Sequence, residues 1–133
     1  MQKTSLMMLW LAVLLAVAAC AGQQQQPLVT IGPVKGEAIV TMKAGDFTFE
    51  PNNIKAYKGD VIVFRIENIS GSGHNFTIKD PQGNNLQSVG LPSKESVTIK
   101  VSLAEAGTYE FYCDKPFHSG FGMKGQIVVV QEP

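Results

Sequence analysis

The stretch Ser96-Val97-Thr98-Ile99-Lys100-Val101 alternates polar and apolar side chains without a fault. A period of two is what an extended strand with one buried face requires. It commits Val97, Ile99 and Val101 to a core. Behind the turn Lys58-Gly59-Asp60, residues Ile62, Phe64 and Ile66 share one face of a second such strand, with Arg65 on the other. Phe47 and Phe49 alternate ahead of Pro51-Asn52-Asn53, and the segments 38–43, 74–79, 108–112 and 126–131 repeat the pattern. Gly, Pro, Asn and Asp punctuate them at the spacing of a sandwich. The prediction is an all-β, Greek-key β-sandwich of about seven or eight strands. One helical turn at most is foreseen, at 102–106. No Gly-rich phosphate loop, helical repeat or nucleophile elbow is present.

Ahead of this domain the sequence changes character. Lys3 precedes residues 6–19, a run of 14 without one charge. That length suits the apolar region of an export signal and is short for a membrane-spanning helix. The run ends in Val17-Ala18-Ala19-Cys20, which resembles the lipobox of bacterial lipoproteins. The resemblance implies that Cys20 becomes the first mature residue and carries a lipid; ordinary cleavage after Ala18 is the alternative. Ala21-Gly22, four glutamines and Pro27 follow, a polar low-complexity stretch that reads as a tether. The predicted organisation is a signal at 1–19, a lipidated Cys and flexible tether at 20–36, and one folded domain at 37–133. The whole chain carries 11 basic and 11 acidic residues, and −1 remains once Lys3 is removed with the signal. A chain without a basic face is not built to hold nucleic acid. With 44% apolar residues it is not a disordered charged tail either.

The parity of two strands brings chemistry together. In 108–113 the inward set is Tyr109, Phe111 and Cys113; in 74–79 it is His74, Phe76 and Ile78. His74 opens one strand and Cys113 closes the other, so an antiparallel pairing places both at one pole. His118 lies five residues past Cys113 and Met123 five further, on a loop with Gly120, Gly122 and Gly125. A thiolate, two imidazoles and a thioether form a donor set associated with blue-copper electron-transfer centres, three ligands in a plane and a weak axial fourth. Both histidines of the chain are in this set. Zinc is the nearest rival metal, though thioether serves it poorly. A Cys–His hydrolytic dyad lacks a placed orienting group. One by one, the four residues could also be a buried thiol, a satisfied imidazole and core packing.

At Gly73-His74-Asn75 and across Cys113-Asp114-Lys115-Pro116-Phe117-His118-Ser119-Gly120-Phe121-Gly122-Met123 the sequence resembles the cupredoxins, with four-residue gaps most like the rusticyanin and auracyanin branch. The resemblance covers residues 38–133. It implies one mononuclear type 1 copper held by the ring nitrogens of His74 and His118, by the Cys113 sulfur and, axially, by Met123. It also implies that the Gly73 carbonyl approaches the metal from the far side and that Asn75 ties the two ligand loops together. Many relatives carry Gly before the second His, where this chain has Phe117, which predicts a stiffer and more shielded loop. Pro116, Phe117 and Phe121, joined by Leu91-Pro92, form a candidate apolar patch for docking; the alternative turns both rings inward. The function implied is that of a membrane-tethered monomeric electron carrier in a bacterial cell envelope, serving redox proteins of a respiratory or similar chain, and not an enzyme. A periplasmic copper chaperone or store is the alternative.

Overall fold

The computed structural model describes residues 26–34 and 36–132. The predicted export signal, Cys20 and residues 21–25 lie outside the described residues. Among the described residues there are ten strands: β1 (Val29–Thr30), β2 (Glu37–Ala44), β3 (Phe49–Glu50), β4 (Asn53–Tyr57), β5 (Val61–Asn68), β6 (His74–Lys79), β7 (Asn85–Leu91), β8 (Ser96–Ser102), β9 (Gly107–Tyr112) and β10 (Lys124–Val130). They form a six-stranded sheet, β1-β4-β10-β9-β6-β7, and a four-stranded sheet, β3-β2-β5-β8. The architecture is therefore the all-β sandwich that the alternation predicts.

The extra strands are those with little burial contrast. β7 is exposed over its first four residues and pairs as an edge strand with β6, so no period of two marks it. β4 buries Ile54 and Ala56 but opens on a buried Asn53. β1 is two residues long, and β3, foreseen from the Phe47–Phe49 alternation, is shortened to Phe49–Glu50. The helical turn foreseen at 102–106 does not form: β8 runs to Ser102, and Leu103 turns inward as a fully buried side chain whose amide bonds the Asp60 carbonyl.

Between the sheets the predicted inward residues meet. Ile62, Phe64, Ile66, Phe76, Ile78 and Phe111 are fully buried. The rings of Phe76 and Phe111 stack at 5.2 Å, while Phe49 and Phe64 approach Phe76 at 5.6 and 5.5 Å. Removing each such ring from water contributes about 1.5–3 kcal/mol, which makes this aromatic cluster the main cohesive element between the layers.

The register places the chemistry. β6 pairs antiparallel with β9, Thr77 opposite Tyr112 and Ile78 opposite Phe111. Hence His74 at the start of β6 and Cys113 just past β9 share an upper pole. β10 leaves that pole directly after Met123, antiparallel to β9 and parallel to β4. At the lower pole Lys58 N bonds the Val130 carbonyl. There the buried Asp60 carboxylate accepts the amides of Tyr57 and Val34 at 2.9 and 3.2 Å.

The last bond corrects the predicted tether. From Gln26 to Val34 the chain is attached to the domain. β1 pairs with β4, Ile31 packs against the core, and Gln26 bonds to Phe49, Asn52 and Asn53. The glutamine run gives no hint of this, because Gln26 is attached through its side-chain amide and backbone rather than through apolar burial.

Candidate metal centre

Three donor atoms converge at the upper pole. His74 Nδ1 lies 3.1 Å from His118 Nδ1, and Cys113 Sγ lies 3.5 Å from the same nitrogen. All three atoms are within 4.8 Å of one another. Metal–ligand bonds of about 2.0–2.1 Å to nitrogen and about 2.3 Å to sulfur would then subtend angles of about 100° and 107° at one ion. Both separations are compatible with the donors sharing one metal ion. Met123 is fully buried, and its backbone is bonded to both neighbours: Cys113 N donates to the Met123 carbonyl and Met123 N to the His118 carbonyl, each at 3.0 Å.

His74 is fixed by a network with no counterpart among the residues singled out from sequence. Its Nε2 lies 2.8 Å from Ser70 Oγ. That hydroxyl also faces Asn68 Oδ1 at 2.8 Å and the Ser72 carbonyl at 2.9 Å. In the tautomer protonated at Nε2, that nitrogen donates to the Ser70 hydroxyl, whose own proton goes to one of these two acceptor oxygens. Nδ1 is then left unprotonated and aimed at His118, the tautomer that a metal ligand needs. Asn68 is fully buried; its amide nitrogen donates to the carbonyls of Ser72 and Leu91 at 2.8 and 2.9 Å. Burial holds the His74 imidazole below its usual pKa, helped by the charges of His118 and Lys115 and opposed by Asp46. A neutral ring at neutral pH is the consequence. The only sequence signal for this network was Asn-x-Ser ahead of Gly73, which reads as a turn.

Asn75 and Gly73 stand where the two halves of the site join. Asn75 Oδ1 accepts the Asp114 amide at 2.7 Å, and its Nδ2 donates to Thr77 Oγ1 and Ser88 Oγ at 3.0 and 3.3 Å. The Gly73 carbonyl accepts Lys115 Nζ at 2.6 Å.

The loop from Cys113 to Met123 is a succession of tight turns. His118 N bonds the Lys115 carbonyl, Phe121 N the Phe117 carbonyl, and Gly122 N the Ser119 carbonyl. Phe117 has φ +66°, a left-handed conformation that favours glycine. Its ring is 79% exposed and that of Phe121 is 71% exposed, so neither is folded over the cluster, and the shielding foreseen from Phe117 is absent. Pro116 and Pro92 are also exposed, but Leu91 is buried in the core and leaves the predicted patch. Phe47 takes its place. Gly45 N bonds the Thr48 carbonyl in a turn that breaks the alternation with Phe49. The Phe47 ring, 41% exposed, stands edge-on to His118 at 5.1 Å and lies 5.4 Å from Phe121.

Fold and cluster together define a small all-β domain with a soft donor set, able to hold one metal, at the end of a sandwich. A family model described as a cupredoxin-like domain matches residues 6–129, and the chain belongs to that family. It is similar to the plastocyanin of Vicia faba, 33% identical over 101 residues that cover 70% of this chain and 98% of that one. Among solved structures, the dithionite-reduced auracyanin of Roseiflexus castenholzii has a TM-score of 0.61 at 20% identity, covering 72% of this chain and 99% of its own. The metal-binding domain of the Cu(I)-exporting P-type ATPase CopA of Streptococcus pneumoniae, solved with Cu(I), has 0.57 at 20%, covering 79% and 97%. These two likenesses concern the fold. The cofactor of the family is one copper in a type 1 site, and His74, Cys113 and His118 are the residues here that can hold it.

Proposed function

We propose that this chain is an exported, membrane-tethered electron carrier that cycles one copper between Cu(I) and Cu(II). The copper would supply a one-electron redox couple at neutral pH. His74, Cys113 and His118 would hold it, with the Met123 thioether as a weak fourth donor. The observation that carries this reading is the convergence of three donors that are already positioned: His74 by the Ser70 hydroxyl, and Cys113 and His118 by backbone bonds through Met123. A site held this firmly changes little between oxidation states, which keeps the barrier to electron transfer low. Gly73, with its carbonyl bonded to Lys115, and Asn75, bonded to the Asp114 amide, would hold the two ligand segments in register.

His118 is half-exposed and rimmed by Pro116, Phe117, Phe121 and Phe47, an apolar surface suited to brief contact with a redox partner. The partners would be redox proteins of a respiratory or similar chain, met by a monomer held to a bacterial membrane through lipidated Cys20. The sequence contains no histidine beyond the two in the cluster, so a second catalytic copper site of the imidazole kind cannot be built, and the reading is of a carrier rather than an enzyme.

The test is a visible absorption and EPR spectrum of the chain from Ala21, loaded with Cu(II). An intense thiolate-to-copper band is expected, and Cys113→Ser should remove it. Tight binding of Cu(I) with reduction or rejection of Cu(II) would replace electron transfer by copper trafficking.

A further inference from the structure

The attached segment 26–34 has a direction, and that direction says which end of the domain faces a membrane. Gln26 is held beside the first residues of β4: its amide donates to Asn52 Oδ1 and its Oε1 accepts Asn52 N, both at 3.2 Å, while Asn53 Nδ2 donates to the Gln26 carbonyl at 3.3 Å. Asn53 is paired with Gln126, three residues after Met123. At about 3.3 Å per residue that is about 10 Å down the strand from the metal cluster. From there β1 runs parallel to β4, away from the cluster, and Val34 ends at Asp60 on the lower pole. The chain therefore enters the domain near the upper pole and descends. A segment running the other way would bring the chain in at the lower pole, with the cluster turned outward.

Five residues separate Cys20 from Gln26. Six Cα–Cα steps span at most about 22 Å, even fully extended. We infer that residues 26–34 act as an orienting strap: with Cys20 in the bilayer, the metal pole and its Phe47, Phe117 and Phe121 rim are held toward the membrane surface. The partner that suits this posture is a redox protein embedded in the same membrane, with its electron port at that surface, rather than a freely diffusing carrier. The inference rests on the lipid anchor proposed above. A fully flexible tether of 16 residues would allow either pole to face the bilayer; attachment from Gln26 onward removes most of that freedom.

Energy transfer reads the orientation without copper. The single Trp of the chain is Trp10, in the signal, so the mature protein accepts one reporter at a time. The lipidated, metal-free chain is placed in phosphatidylcholine–phosphatidylglycerol vesicles containing a dansyl-headgroup lipid, with Phe121→Trp in one preparation and Lys58→Trp in the other. Transfer from position 121 is expected to exceed that from 58 several-fold. Inserting a Gly-Ser linker of about 20 residues between Gln25 and Gln26 should bring the two close together. Equal or reversed transfer in the uninserted chain, with protein still co-floating with vesicles, overturns the orientation and leaves the anchor standing. An insertion without effect on an unequal pair shows that the strap is not what orients the domain. Failure to co-float overturns the anchor itself, and the orientation with it.

Discussion

His74 and His118 present the same atom to the same point, 3.1 Å apart, yet they are held in opposite ways. His74 is buried at the head of a strand, and its far nitrogen is tied to Ser70 and through it to Asn68. His118 is half-exposed on a loop, positioned by backbone turns and an edge contact with Phe47. One half of the site is set by a buried polar network. The other is set by turn geometry and opens to the surface. The difference teaches a division of labour: the His74 side fixes tautomer and direction, and the His118 side connects the metal to the outside. The first is a matter of buried satisfaction, where loss of one partner is costly; the second is backbone, where side-chain changes are tolerated.

The largest effect should come from the deepest member of the network. Asn68→Ala removes the Oδ1 acceptor shared by Ser70 N and Ser70 Oγ and leaves the buried Leu91 carbonyl without its Asn68 donor. Destabilisation of about 2–4 kcal/mol is expected in denaturant unfolding of the metal-free protein. A loss under about 0.5 kcal/mol, the range of ordinary surface changes, would mean that the two halves are not distinguished by burial.

Next is Ser70→Ala, which leaves the fold but takes the acceptor from His74 Nε2. Ligand-orienting partners of this kind are worth about 10–100-fold in metal affinity. Chelator competition should therefore show copper held at least about tenfold more weakly, and Ser70→Thr, which keeps a hydroxyl, should restore much of it. Unchanged affinity in Ser70→Ala would show that packing alone orients the ring.

How much of this was legible beforehand follows the same division. Phe76, Ile78, Phe111 and Cys113 were readable as inward because strand parity is a strict rule, and parity brought His74 to Cys113. Asn68 and Ser70 were not, since an Asn and a Ser before glycines look like any turn; their meaning arises only when Leu91 and His74 close over them. Phe47 was misplaced for a related reason. The spacing from Phe49 suggested one face, but the Gly45–Thr48 turn rotates it outward to His118. The strap was illegible because four glutamines carry no periodicity, although one of them makes specific amide bonds.

The smallest effects should fall at the seam, where the halves meet through exposed polar contacts. Asn75 accepts the Asp114 amide, and Lys115 reaches across to the Gly73 carbonyl. Both contacts are open to solvent, which can replace a lost partner. Asn75→Ala should cost about 1 kcal/mol, because its side chain also bridges to Thr77 and Ser88. Lys115→Ala should stay within about 0.5 kcal/mol. If Lys115→Ala proved as damaging in chemical unfolding as Asn68→Ala, the seam and not the buried network would be what holds the site. His74 would then owe its direction to the loop it faces rather than to the strand it begins.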